Sequence, residues 1–217
     1  MKGLLLGCAM AVLPLCAQNE GEVAPILLYT QFVEPPPAAV LDSLHGEVQA
    51  IMAPMGMKFR WLDLNASDGK QVSVELAVIG FKGRCDVDGL TRHDSNLGAL
   101  GWTHISDGVI LPFANVDCSA VRSFIQRELL DTRVQKRAAV FGRALGRVLA
   151  HELYHIFANT TRHGSDGVAR QFYSVHDLLT SDFQFEARES QALLHSRAHA
   201  ALVAARPLPA DDAEHFD

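Results

Sequence analysis

GRALGRVLAHELYHIFA, residues 142–158, carries the pattern from which the fold is predicted. At about 100° per residue its apolar residues gather on one side of a helix, and His151 and His155 point away from that side. The apolar side consists of Leu145, Leu149, Leu153, Ile156 and Phe157. We therefore predict a helix over residues 133–158, with one face in the core and another face free to hold ligands.

The ligand face carries the chemistry of the sequence. His151-Glu152-Leu153-Tyr154-His155 spaces two histidines four residues apart, one helical turn above the other. Both imidazoles can then reach a single Zn²⁺ at about 2.0 to 2.1 Å. Glu152 is rotated by about 100° from His151, so we predict that it does not bind the metal. It is placed to accept a proton from water and pass it to a leaving amine.

A catalytic zinc ion usually takes three protein ligands, and His163 is the nearest candidate for the third. Asn159 lies where the helix should end, and asparagine enters the left-handed conformation readily. That conformation would turn the chain back, so that residues 160–162 form a short loop carrying His163 to the metal. The alternative is that His163 is a solvated side chain of a surface loop.

The motif resembles that of the zincin metallopeptidases. HExxH, seven further residues and then His163-Gly164 is most similar to the metzincin motif, with two extra residues before the third histidine. The metzincin glycine and third histidine would fall on Ala158 and Thr161. Residues 147–178 also resemble a group of small secreted bacterial zincin-like proteins, in which methionine often occupies the place of Ala169.

This resemblance implies both a fold and an activity. The fold would be α+β and zincin-like, a mixed twisted sheet packed on the HExxH helix with further helices on the C-terminal side. The activity would be that of a secreted zinc metalloendopeptidase acting on a peptide or protein substrate, with Glu152 catalytic and one Zn²⁺ on His151, His155 and His163. In the gluzincin branch a helical glutamate is the third ligand, which makes Glu186 the alternative.

Two questions about the site stay open in the sequence. Tyr173 and His176 follow the proposed third ligand, and they either hydrogen-bond an oxyanion or support a ligand, or else pack in the structure or face solvent. The whole domain is either an active peptidase or a zinc-binding pseudoenzyme that recognises a partner without turnover. The retained Glu152 favours the peptidase.

The N-terminus has the pattern of a secretory signal peptide. Lys2 precedes an apolar run over residues 3–13, then Pro14 and a small residue, Ala17, before the expected cut. The run is shorter than the about 20 residues of a membrane-spanning helix. We therefore predict a signal peptide over residues 1–17, a secreted or periplasmic location, and no stable membrane insertion after its removal. Residues 18–205 would form one domain, followed by a flexible acidic tail over residues 206–217.

Two cysteines remain after that cut. Cys85 and Cys118 form an even pair in an oxidising compartment, so we predict a disulfide between them. The alternative is a pair of buried free thiols.

Composition excludes other classes of function. The chain has 217 residues, of which 48% are hydrophobic and 20% charged, as in an ordinary globular protein. Its net charge of −6 gives no basic field for nucleic acid, so we expect no nucleic-acid partner.

Periodicity predicts the remaining elements. Asp107-Gly108 is a hairpin signal between two of the strands, and Pro112 predicts that residues 109–113 lie at a sheet edge. Gly142 and Gly146 either admit a close neighbour or are incidental small residues. Strands are predicted over residues 26–33, 57–64, 72–81, 99–104 and 109–113, with a surface loop over 83–98. Helices are predicted over 38–52, lying on the sheet, and over 121–131 and 183–204.

Overall fold

The computed structural model describes residues 24–90 and 98–205. The predicted signal peptide and acidic tail lie outside the described residues. The described strands are β1 (Ala24–Phe32), β2 (Phe59–Asp63), β3 (Ser73–Lys82), β4 (Gly101–Ser106) and β5 (Val109–Asp117). The described helices are α1 (Ala38–Met52), α2 (Cys118–Phe124), α3 (Gln126–Asp131), α4 (Val134–Phe157), α5 (Val175–Leu179), α6 (Ala187–Leu194) and α7 (Arg197–Ala204). In this part of the chain no helix combines the length and apolarity needed to cross a membrane.

The five strands form one mixed sheet in the order β2-β1-β3-β5-β4. The pairs β1–β2, β1–β3 and β3–β5 are parallel, and only the hairpin pair β4–β5 is antiparallel. The predicted mixed sheet, the helix on the HExxH motif and the hairpin at Asp107-Gly108 are confirmed. Strand β4 is an outer strand of this sheet, and it lies against α4.

Helices α1 and α4 pack against each other, and the buried residues of both belong to the same hydrophobic core as those of the sheet. The apolar residues that recur along α1 at the helical period are buried, including Val40, Leu44 and Val48. The contact is close because α4 has glycine where α1 crosses it. A Cβ on Gly142 would lie 2.9 Å from Ser43 Cβ, and one on Gly146 would lie 2.8 Å from Leu44 O. Gly142 and Gly146 therefore admit a close neighbour and are not incidental small residues.

Arg147 connects helices α1 and α4 to residues 177–183, which lie later in the chain. Its side chain is only 2% exposed, although it carries a charge. The guanidinium donates to Glu47 Oε1 at 2.6 Å and to the carbonyl oxygens of Asp177 and Thr180 at 2.9 and 2.8 Å. It also lies 4.7 Å from the centre of the Phe183 ring. Together these contacts fix α5 and the following loop against α4.

The predicted sheet edge at residues 109–113 is only partly correct: β5 is an inner strand, but its residues before Phe113 pair with β4 alone. Residues 109–113 belong to β5, which pairs with β4 on one side and, from Phe113 onward, with β3 on the other. The register of β4 and β5 shifts between Thr103 and Ile105, where the pairing of β5 moves from Ala114 to Ile110. Pro112 lies in this irregular stretch and before the β3 pairing begins, so its missing N–H breaks no regular ladder. The outermost strand on this side of the sheet is β4.

Two predicted helices are each divided in two in the structure. The helix over 121–131 divides at Ile125 into α2 and α3, and Asp117 caps α2 by accepting from Ala120 N. The helix over 183–204 begins only at Ala187 and divides again at Ser196, whose hydroxyl accepts from His199 N and caps α7. Periodicity does not detect such caps when the apolar spacing continues through them.

The predicted disulfide between Cys85 and Cys118 is present. It joins the loop after β3 to the first residue of α2, across a sequence separation of 33 residues. Both half-cystines are buried in the main core. The bond therefore holds the start of α2 against the end of the central strand.

Candidate metal centre

Helix α4 places His151 and His155 side by side. Both side chains are 8% exposed, and their ring centres are 4.7 Å apart. The two Nε2 atoms face each other at 3.0 Å. The helical spacing of four residues accounts for this arrangement, as the sequence predicted.

The third histidine is carried back to this pair by the turn that follows α4. Asn159 has a φ of 48°, the left-handed conformation expected of it, and Thr160 N donates to His155 O at 3.2 Å as the helix ends. The ring of His163 then lies 5.2 Å from that of His151 and 4.8 Å from that of His155. One ligand atom from each of the three side chains lies within 4.8 Å of the others. The three predicted ligands are therefore brought together.

Main-chain carbonyls orient the two helical imidazoles. His151 Nδ1 lies 2.8 Å from Val168 O, and His155 Nδ1 lies 2.7 Å from Thr160 O. A carbonyl only accepts, so each Nδ1 carries the hydrogen and each Nε2 keeps a free lone pair. Hydrogen-bond partners of this kind are typical of metal-binding histidines.

The donor set fits a metal cation. Burial lowers the pKa of His151 to about 3, and the neighbouring His155 contributes to this shift. Burial also lowers the pKa of His155 and of His163. All three imidazoles are then neutral near pH 7. Two lone pairs facing each other at 3.0 Å repel unless a cation or proton lies between them. Two nitrogens on one tetrahedral zinc ion are about 3.3 Å apart, close to the observed separation.

Tyr173 lies behind His151 and supports it. Its hydroxyl donates to Val168 O and lies 3.0 Å from His151 Nδ1. Burial, followed by the charges of Glu152 and Asp177, raises the pKa of Tyr173 well above its usual range, so the phenol keeps its hydrogen. Among the possible roles of Tyr173, the structure favours ligand support.

Two other predicted candidates lie outside the cluster. His176 is exposed on α5 and lines neither of the cavities beside the histidines. Glu186 lies at the N-cap of α6, where its Oε2 accepts from the Ser165 hydroxyl at 3.0 Å. The cluster found among residues 24–90 and 98–205 contains histidines only. The structure therefore brings His163, and not Glu186, to the pair on α4.

Glu152 lies beside the cluster without belonging to it. It is 5% exposed, and burial raises the pKa of its carboxyl to about 7 against the opposing effect of the Thr103 hydroxyl. It borders two cavities. One, of about 240 Å³, also reaches the three histidines and Ile105. The other, of about 440 Å³, is lined mainly by apolar residues, including Phe124 and Phe172.

Sequence reasoning missed four contributors to this site. They are Gly101, Thr103, and the carbonyl oxygens of Thr160 and Val168. Every residue has a carbonyl, so no residue type could reveal the last two. The sequence pattern identifies Thr103 only as part of a strand, because its approach to Glu152 spans 49 residues of sequence.

The fold and the site together define a mixed α/β protein with a five-stranded sheet and a three-histidine cluster that can hold a metal ion. No protein family model matches the sequence, and no curated protein matches it. What bears on function is therefore the geometry of the site.

Proposed function

We propose that this protein is a secreted zinc metallopeptidase of zincin type, which hydrolyses peptide bonds with Glu152 as the general base. The observation that carries the proposal is the convergence of three neutral imidazoles next to a buried carboxylate that is not one of their group. Structural zinc sites are usually closed by four protein ligands, whereas catalytic sites have three and leave a position open. The described residues supply three.

The donor set favours zinc over other metals. Three imidazoles suit a borderline-soft cation, while calcium and magnesium prefer oxygen ligands. When bound, zinc would supply a Lewis acid that makes water nucleophilic at neutral pH and polarises a carbonyl. His151 and His155 would be held in place by their carbonyl partners, and His163 by the turn at Asn159.

Glu152 would perform the proton transfers. Its carboxylate borders both cavities, so it faces the space in which a scissile peptide bond would lie. There it can take a proton from the attacking water and deliver it to the nitrogen of the leaving amine. A metal site built only for stability has no need of a non-ligating acid at this position.

The surroundings of the site suit an extended peptide. Strand β4 forms the outer edge of the sheet directly beside Glu152, and a peptide can add to such an edge by main-chain hydrogen bonds. The larger cavity offers an apolar lining, including Leu100, Phe124 and Val148, for one side chain of that peptide. The disulfide and the apolar N-terminal segment support a secreted location.

Metal analysis and peptide cleavage test the proposal together. The full-length chain is secreted from an expression host, its metal content is measured by mass spectrometry, and cleavage of a mixed peptide library is followed by product sequencing. We expect about one zinc per chain and cleaved peptides. Glu152→Gln should keep the zinc and lose about 100-fold or more in kcat. Glu34→Gln, the same change at an exposed position, is the control and should match the wild type.

Two outcomes would contradict the proposal. A chain that binds zinc tightly but cleaves nothing, in either wild-type or variant form, would be a zinc-binding recognition module. A chain that cleaves peptides equally well with and without the Glu152 carboxylate would have a different catalytic centre.

A further inference from the structure

The edge strand makes direct contact with the carboxylate of Glu152. Thr103 Oγ1 lies 2.7 Å from Glu152 Oε2 and 3.3 Å from the main-chain oxygen of the same residue. A hydroxyl has one hydrogen to donate, and only the shorter of the two separations has the usual length of a hydrogen bond from a hydroxyl to an oxygen. Oε2 is therefore the acceptor.

The second carboxylate oxygen is set against the same strand. A Cβ on Gly101 would lie 2.9 Å from Glu152 Oε1 and 2.9 Å from Val148 Cγ1. Glycine at this position leaves just enough room for the carboxylate beside the strand. Oε1 accepts no hydrogen bond from the side chains and main chain of residues 24–90 and 98–205, and the group borders both cavities.

The two oxygens thus have different surroundings. Helix α4 fixes the main chain of Glu152, but its side chain has three rotatable bonds, and the helix alone does not decide where the carboxylate points. The Thr103 hydroxyl holds Oε2, while the bare backbone at Gly101 limits how far Oε1 can swing. Oε2 is thus held by a hydrogen bond, whereas Oε1 is free to accept a proton.

We propose that Thr103 is a positioning residue, which holds Glu152 Oε2 so that Oε1 is the oxygen that accepts the proton from water. This inference rests on the peptidase function proposed above. The Thr103 hydroxyl hydrogen-bonds none of the three histidines, and it acts only through Glu152. Its loss should lower the rate of the chemical step without weakening substrate binding, because the hydroxyl is already engaged by the carboxylate.

Three variants test this role. Thr103→Val replaces the hydroxyl by a methyl group of similar size, and Thr103→Ser keeps the hydroxyl. Ser106→Ala removes a hydroxyl from the same strand that bonds to the neighbouring Asp107, and it serves as the control. We expect Thr103→Val to lower kcat about 10- to 100-fold, a part of the whole effect of a general base, with KM within about twofold. Thr103→Ser should restore kcat to within about threefold, and all variants should keep equal zinc content.

Crystal structures of the wild type and Thr103→Val provide a second readout that does not depend on activity. The wild type should show one carboxylate conformation with Oε2 on the Thr103 hydroxyl. Thr103→Val should show the carboxylate rotated or in several conformations, with His151 and His155 unmoved. If no peptide is cleaved by any variant, the proposed function fails, and this comparison still decides whether Thr103 positions Glu152.

The positioning role is overturned by any of three results. The first is a Thr103→Val enzyme with wild-type kcat. The second is a Thr103→Ser enzyme as slow as Thr103→Val, since the hydroxyl would then not be the important group. The third is a crystal structure in which the carboxylate keeps its conformation without the hydroxyl.

Discussion

Substitution of Gly142 by alanine should destabilise the protein, although alanine is the better helix former. In a helix interior alanine is favoured over glycine by about 1 kcal/mol. Here the added Cβ would lie 2.9 Å from Ser43 Cβ and 3.0 Å from the carbonyl carbon of Val40, and it would be closer still to the Val40 oxygen. Ordinary carbon–carbon contacts are about 3.5 to 4.0 Å, so α1 must move off α4 by about 0.5 to 1 Å.

That movement sets the size of the effect. A gap of this width loses about a quarter to a half of the dispersion energy of each affected contact, and overpacked cores typically lose about 1 to 3 kcal/mol. After the gain of about 1 kcal/mol in helix propensity, we expect a net loss of up to about 2 kcal/mol in the free energy of unfolding. A Cβ on Gly46, in α1, would meet no atom of the described residues within 4 Å. Gly46→Ala is therefore the matched control and should stabilise by about 0.5 to 1 kcal/mol.

Urea unfolding of both variants, followed by circular dichroism with zinc removed, measures the two changes. The shift of the midpoint should have opposite signs in the two variants, with similar m-values. A Gly142→Ala protein as stable as Gly46→Ala would refute the close packing of α1 on α4.

Three further changes have defined outcomes. His163→Ala should weaken zinc affinity at least about 100-fold, while Glu186→Ala should leave it unchanged. Zinc titration against a competing chelator measures both affinities. The reverse result would assign the third ligand to Glu186. Replacing Cys85 and Cys118 together by alanine should cost about 3 to 4 kcal/mol of unfolding free energy on the loop-entropy relation, and urea midpoints equal to the wild type would contradict this. Burial lowers the pKa of His45 below its ordinary value of 6.5, although the charge of Asp42 acts in the opposite direction. The unfolded chain therefore binds a proton more readily than the folded chain does. As a result, the free energy of unfolding falls as the pH drops below about 6.5. His45→Phe should remove part of that fall between about pH 7.5 and 5.5 in unfolding experiments, and parallel curves would show that His45 does not contribute.

The parts of the structure that follow from local chemistry could be predicted from the sequence. The apolar period of α4, the spacing of His151 and His155, and the left-handed preference of Asn159 are each properties of one short segment. The hairpin turn at Asp107-Gly108 is of the same kind. These features require no knowledge of what packs against the segment.

The parts that depend on distant residues could not be predicted. Pro112 predicts an edge because a proline breaks a regular ladder, but β5 is an inner strand, and only its residues before Phe113 lack a partner on the β3 side. The apolar period places Phe183 in a helix, whereas its ring packs over the guanidinium of Arg147 and the residue lies before the start of α6. In the site, the Thr103 hydroxyl reaches Glu152 only because β4 folds alongside α4.

The orientation of the imidazoles by main-chain oxygens has a consequence for how this protein can vary. The carbonyl group of residue 168 holds His151, and that of residue 160 holds His155. The side chains at positions 160 and 168 are therefore free to change without removing the hydrogen-bond acceptors. Deleting or inserting one residue between His155 and Val168 would instead shift a carbonyl by the length of a peptide unit. Loop length, rather than loop composition, is therefore what natural or engineered variants of this centre must preserve.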